Sequence, residues 1–304
     1  MAVWGLQRFL NSVINVKKIT DPAIRSQDIG DADLQYLFYE GDGPPIILLH
    51  ATGFLPWLWH PIARELSESF QIIAPYFCDH RETDPAKGGL SWMKLADDLC
   101  RLCDRLDIDH PFLVGHSMGA TVMAMAEAVY GPKAAGMILI EPIFLPQDFY
   151  KIQISVDEHP LASKSIKRRN FWDDAAVART YLRSRGLFKY WDDEMLDLYI
   201  KYGMVPGETG GLQLTCPPQK EASLFMGGMP YDPWPMLPRV GCPVLVVEGE
   251  NSANSNYIDL KKAVSMFPNA SYQLILSAGH LIPMEKPAEM IQIISKFFSY
   301  SETA

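Results

Sequence analysis

The sequence holds no uncharged apolar run that reaches the ~20 residues a membrane-spanning helix needs, so no helical span is expected. Cysteine is scarce, with 5 in 304 residues, at Cys78, Cys100, Cys103, Cys216 and Cys242. They are too few and too dispersed for a disulfide scaffold. Cys100 and Cys103 form a C-x-x-C, but it falls inside a helical pattern of Leu95, Leu99, Leu102 and Leu106. No second Cys or His pair lies near it, which argues for structural helix cysteines rather than zinc or redox chemistry. Reduced thiols suggest a cytoplasmic protein. Positive charge is the third shortage. Lys and Arg number 27 against 36 acidic residues, a net charge of −9. The densest basic stretch, Lys164 to Arg169, suits a solvated helix face, and nucleic acid is excluded as an expected partner.

What is present has a clear order. Val3, Trp4, Leu6, Leu10, Val13 and Ile14 recur at helical spacing, while Gln7, Arg8 and Asn11 interrupt any signal-peptide core. Residues 1–20 are therefore expected to form an amphipathic helix, docked on this chain or on a partner subunit. A homodimer through that helix or through the cap described below is the assembly this allows. Ala23 to Gly41 suggests a hairpin turning near Gly30 and Asp31. Pro45–His50, Gln71–Pro75, Phe112–Gly115, Gly136–Ile140, Val244–Glu248 and Tyr272–Leu276 follow as strands. Helical patterns separate them, at about 61–67, 91–106, 118–130, 256–267 and 287–300. Strands that alternate with helices imply crossover units, hence an α/β fold with a mostly parallel sheet flanked by helices. Residues 142–240 break the alternation with helical or irregular patterns and dense Pro and Gly towards their end. They are expected to be a helical cap inserted into a core made of 21–141 and 241–304. The cap would lie over the carboxyl edge of the sheet, where open α/β sheets bind ligands.

Gly115-His116-Ser117-Met118-Gly119 fits G-x-S-x-G, set between an apolar strand and an alanine-rich helix. The sharp reversal needs small neighbours and puts the serine oxygen clear of the sheet at a helix N-terminus. There the Met118 amide and the helix dipole would stabilise an oxyanion. Serine needs a base, and of the 7 histidines His280 is best placed, in a loop between the last strand and the last helix. His116 and His50 are expected to be structural. A second oxyanion donor should come from the loop after Pro45–His50. The Thr52 amide is the candidate, with Gly53 and Phe54 as rivals.

On these residues the chain resembles the α/β-hydrolase superfamily, in particular its capped esterase, haloalkane dehalogenase and epoxide hydrolase branches. PIILLHATGF, FLVGHSMGA, GMILIEP, CPVLVVEGE and SAGHLIPMEKP carry the likeness, in the usual order, across nearly all of residues 23–300. It implies an eight-stranded sheet, a helical cap, and no metal or organic cofactor. There are departures. Ala51 replaces a glycine, and Asp79-His80-Arg81-Glu82-Thr83 lacks the family's glycine-rich D-x-R-G-x-G. The acid usual after the penultimate strand is also missing, because Gly249 to Asn256 offers Glu250 as its one carboxylate. Branches that take the acid from the earlier strand end point instead to Glu141, with Glu250 the rival and a water-bridged or more distant acid the remainder.

Serine in the nucleophile position argues against dehalogenase and epoxide hydrolase chemistry, which attack through a carboxylate. Acyl transfer to water remains, and a carboxylesterase acting on a hydrophobic, medium-sized ester is the expectation. Phe54, Trp57, Phe144 and Trp172 are the residues expected to line its site, because ligand pockets are mostly apolar with few polar anchors. Lactone, thioester or carbon–carbon bond hydrolysis by the same residues, or a silent ligand-binding protein on this fold, are the alternatives.

Overall fold

The computed structural model describes residues 21–78 and 80–301, so the expected N-terminal helix lies outside the described residues. Eight strands form the main sheet. They are β1 (Ala23–Asp28), β2 (Asp33–Tyr39), β3 (Pro45–Leu49), β4 (Gln71–Pro75), β5 (Phe112–His116), β6 (Gly136–Ile140), β9 (Val244–Gly249) and β10 (Ala270–Ile275). Their spatial order is β1-β2-β4-β3-β5-β6-β9-β10. β1 pairs with β2, and β2 with β4, antiparallel; every later pairing is parallel. The four strands from β3 through β9 read as unbroken apolar runs because helices cover both faces, and β5, β6 and β9 are buried at every position. β1, at the edge, is largely exposed.

The core helices are α1 (His60–Leu66), α2 (Trp92–Arg105), α3 (Met118–Val129), α8 (Leu260–Met266), α9 (Ile282–Glu285) and α10 (Pro287–Ser301). α2 shows why such a segment is helical here. Trp92, Leu95, Ala96, Leu99, Leu102 and Cys103 recur at helical spacing and are buried. Each large side chain so buried contributes about 1.5–3 kcal/mol. The same helix buries Asp98, which accepts from Arg81 Nε at 2.7 Å and Nη2 at 2.6 Å and lies 2.9 Å from His80 Nε2. Arg81 and His80 thus tie the loop after β4 to α2, in the segment whose glycines are missing. All five cysteines are buried, and none of them is joined in a disulfide.

Between β6 and β9 lie α4 (Ala162–Ile166), α5 (Ala175–Arg183), α6 (Asp193–Gly203) and α7 (Pro218–Met226). A short antiparallel ribbon, β7 (Met204–Pro206) with β8 (Leu212–Leu214), accompanies them, although the sequence pattern suggests no strand there. This segment packs on loops beyond the carboxyl ends of the strands. Tyr202 stacks on Trp57 with ring centroids 3.6 Å apart, Glu194 pairs with Arg64, and the Asp192 amide donates to Met284 O at 2.9 Å. Phe144 and Trp234 are buried, with centroids 6.1 Å apart, in the cluster that also holds Met118, Leu237 and Val240. The stretches around Phe144 and Trp234 thus share one buried cluster with α3, which Cys216 and Leu224 of the inserted segment also join.

Candidate active site

β5 runs into α3 through a turn that the local chain makes obligatory. Ser117 has φ 55° and ψ −116°, a left-handed conformation rare for serine and a sign of stored strain. A Cβ on Gly115 would stand 2.6 Å from the Ala120 backbone, and one on Gly119 would stand 2.5 Å from Leu49 O. Both glycines are therefore required by close approach. The Ser117 amide donates to Ile140 O at 2.9 Å, anchoring the turn to the neighbouring strand end. Met118 opens α3, so its amide has no partner within the helix.

His280 stands in the loop between β10 and α9. Its Nε2 lies 3.1 Å from Ser117 Oγ and its Nδ1 lies 2.9 Å from Glu141 Oε2. Opposite ring nitrogens thus face a hydroxyl and a carboxylate. Glu141, just past β6, is 1% exposed and has φ 51°. Its amide donates to Val247 O at 2.8 Å. Its Oε1 accepts from the Gly249 amide at 2.8 Å, and its Oε2 accepts from Ser252 Oγ at 2.7 Å. A buried carboxylate keeps its charge only with such partners. Glu250 is exposed, and its Oε2 accepts the Ser277 amide at 2.9 Å. Of the two candidate acids, the structure brings Glu141 to the histidine and places Glu250 on a loop amide.

His116 is buried, and its Nε2–H donates to the His280 carbonyl at 2.9 Å, holding the histidine loop from below. Burial, with the His280 ring 5.2 Å away adding to it, pushes His116 down to about 3, so the ring is neutral. His50 Nε2 accepts from the Phe77 amide at 3.0 Å, while its Nδ1 meets Ala51 O at 2.8 Å. It fixes the start of the loop that follows β3. That loop turns tightly at Thr52-Gly53. The Phe54 amide closes the turn on Ala51 O at 3.2 Å, and Gly53 has φ 75°. Phe54 has therefore spent its amide, which leaves Thr52 and Gly53 as oxyanion candidates. Glu221 of α7 presses on the same turn, its Oε1 2.3 Å from where a Gly53 Cβ would stand.

The expected lining residues divide. Phe54 meets Trp191 and Tyr199 edge-on at 5.4 and 6.0 Å, and Trp57 stacks on Tyr202, so both sit where the segment between β6 and β9 meets the loop after β3. Phe144 and Trp172 lie deeper. Phe144 is fully buried between Trp234 and Phe267, and Trp172 is 1% exposed with its backbone bridged to Leu212.

Sequence reasoning missed three contributors. Ser252 and Asn254 lie in the amide- and hydroxyl-rich stretch after β9, a composition that does signal a polar strand end. The third is a pair inside the covering helices. Arg168 donates to Glu221 Oε2 at 2.6 Å and to Tyr199 Oη at 3.0 Å. Burial works against the Arg168 charge, but Tyr199 and Glu221 outweigh it and raise its pKa. No local signal joins residues 53 apart in the chain. Among the described residues no group of three or more His, Cys, Asp or Glu is placed to hold a metal ion, and no helix is long and apolar enough to cross a membrane.

This fold and this elbow agree with what comparison finds. The chain belongs to the alpha/beta hydrolase family, whose sequence profile matches residues 46–293. It is similar to the 2-(acetamidomethylene)succinate hydrolase of Mesorhizobium japonicum, 25% identical over 275 residues that cover 90% of this chain and 94% of that one. It is similar also to esterase YbfF of Escherichia coli, 23% identical over 84% of this chain and 93% of the relative. Among solved structures, an E-2-(acetamidomethylene)succinate hydrolase superposes with a TM-score of 0.77 at 23% identity, covering 91% of this chain and 99% of that one. The structural likeness speaks to the fold. The relatives' names speak to hydrolysis, not to one substrate.

Proposed function

We propose that this chain is a serine carboxylesterase that cleaves hydrophobic esters through an acyl-enzyme. The observation that carries the reading is the unbroken chain of contacts from Ser117 Oγ to His280 Nε2 at 3.1 Å and from His280 Nδ1 to Glu141 Oε2 at 2.9 Å. In this reading Ser117 Oγ attacks the ester carbonyl while its proton passes to His280 Nε2. Glu141 holds Nδ1–H, keeps the ring in the tautomer whose Nε2 is free to accept, and stabilises the imidazolium. The amides of Thr52 and Met118 take the negative charge of the tetrahedral intermediate. His280 then gives its proton to the departing alkoxide, and water repeats the sequence on the acyl-serine to release the acid. The ester preference draws on relatives named esterase, and the hydrophobic preference on the aromatic surroundings of Phe54 and Trp57 beside the oxyanion turn.

A p-nitrophenyl ester tests the reading. The wild type should release a burst of one p-nitrophenol per site before steady turnover, and Ser117→Ala should abolish both while the ester still binds. Residual rates of about 10³ to 10⁴ over water are compatible with an intact oxyanion site. Turnover by Ser117→Ala near the wild-type rate would refute the nucleophile. Binding without release by the wild type would point to a ligand-binding protein. An acyl-chain series run beside a lactone, an amide and a thioester then ranks the substrate classes.

A further inference from the structure

The loop after β9 reaches the histidine as well as the carboxylate. Asn254 lies on the 3-10 turn Ala253–Asn256, which Ser252 caps by accepting the Asn254 amide at 3.3 Å. Asn254 Nδ2 stands 2.9 Å from His280 Nδ1, the same distance as Glu141 Oε2. On the far side of the amide, Oδ1 accepts from Tyr257 Oη at 2.7 Å. One short turn therefore places a hydroxyl on the carboxylate, an amide on the imidazole, and a phenol behind the amide.

The two ends of an amide have the same shape, so the hydrogen-bond balance decides which end faces the ring. Glu141 Oε2 only accepts, so the proton shared with it resides on Nδ1. An –NH2 group at 2.9 Å would then set N–H against N–H. With the carbonyl end turned to the ring, Oδ1 accepts from the same Nδ1–H and the –NH2 donates to Tyr257 Oη. Every group is then satisfied. The neutral tautomer in which Nδ1 accepts from Asn254 would set Nδ1 and Glu141 Oε2 facing as two acceptors in a buried site, which costs free energy.

We propose that Asn254 is a positioning residue for His280, sharing the Nδ1 proton with Glu141 through Oδ1, with Tyr257 fixing its orientation. The inference rests on the serine-hydrolase reading above. It also has a structural corollary: the ring nitrogen is reached from both strand ends, by a carboxylate after β6 and by an amide after β9. A carboxylate at position 254 would therefore occupy a working place for the triad acid. Nδ1–H is a stronger donor in the imidazolium, so loss of Oδ1 should destabilise that form more than the neutral ring.

The test compares Asn254→Ala, Asn254→Asp, Glu141→Gln and the double variant Glu141→Gln/Asn254→Asp with the wild type, using a p-nitrophenyl ester across pH. Asn254→Ala should lower kcat about ten-fold, the worth of one hydrogen bond, leave KM unchanged, and move the acid limb of kcat to lower pH. Asn254→Asp should move that limb to higher pH. In the Glu141→Gln background, Asn254→Asp should restore at least ten-fold of the lost kcat. The proposal is overturned if Asn254→Ala keeps the wild-type kcat and acid limb, or if the double variant is no faster than Glu141→Gln. Ser117→Ala run alongside separates the two readings, since its full activity would overturn the nucleophile without bearing on Asn254. A readout free of turnover is the His280 Nδ1–H resonance by NMR. Asn254→Ala should shift it or broaden it by exchange, and an unmoved resonance would overturn the proposal whatever the enzyme hydrolyses.

Discussion

His116 makes acid a specific threat to this fold. Its ring is fully buried and pushed down to about 3 from the ordinary histidine value of 6.5, chiefly by burial. Because the folded pKa lies below the unfolded one, the unfolded chain binds the extra proton first as pH falls. The stabilising contribution is therefore complete above about 6.5 and is lost as pH drops from there towards 3. At 1.36 kcal/mol per pH unit, the loss between pH 7 and 5 is about 2 kcal/mol, out of a total of roughly 5 kcal/mol if the descent continued to pH 3. His60, lowered by burial and bonded to Tyr39 Oη at 2.9 Å, and His159, also lowered by burial, add to the same slope. The lowered Asp31, Asp97 and Asp98 act only at lower pH, where carboxylates take up protons. Urea unfolding at pH 7 and pH 5, for the wild type and His116→Gln, isolates the group. Glutamine is uncharged and keeps an N–H to offer the His280 carbonyl. The wild type should lose about 2 kcal/mol more than the variant between the two pH values. Equal losses, or an NMR titration of His116 with a midpoint near 6.5, would refute the argument.

Other outcomes follow from single contacts. Gly119→Ala would put a Cβ 2.5 Å from Leu49 O and 2.8 Å from His50 O, and backbone of a buried strand end has nowhere to go. Unfolding should show a loss of about 2–4 kcal/mol, and a midpoint within error of the wild type would mean the elbow can open. Glu221→Gln leaves the Arg168 charge with Tyr199 alone, and with side chains 23% and 11% exposed the cost should be about 1–3 kcal/mol, below that of a fully dry pair. Adding Arg168→Met should recover part of that loss; a double variant less stable than Glu221→Gln would show that packing, not charge, governs the site.

What the sequence disclosed follows how local each feature is. β3, β5, β6 and β9 were legible because a strand buried on both faces is apolar along most of its length, as PIILL and GMILI show, with polar residues in the others only near their ends, at His116 and Glu248. The elbow was legible because strand, turn, serine and helix are contiguous, and its glycines answer to steric demands that any such turn makes. β7 and β8 were not, since three-residue strands, the first ending in Pro206 and the second preceded by the Gly210-Gly211 pair, show neither length nor alternation. Whether Phe144 and Trp172 are wall or core is not legible in the sequence, because hydrophobicity is the same signal for both, and their neighbours Trp234, Phe267 and Leu212 are brought to them only by the fold. The choice between Glu141 and Glu250 belongs to an intermediate class. Both end strands that point at the histidine loop, so their positions along the chain do not rank them. What ranks them in space is the set of donors each one meets. Glu141 takes the Gly249 amide, the Ser252 hydroxyl and the His280 ring in a buried pocket, whereas Glu250 finds a loop amide at the surface. The polar stretch after β9, which seemed merely to lack an acid, supplies part of that donor set. A missing aspartate in the sequence is thus, in the structure, a group of neutral residues arranged around the carboxylate that comes from the other strand.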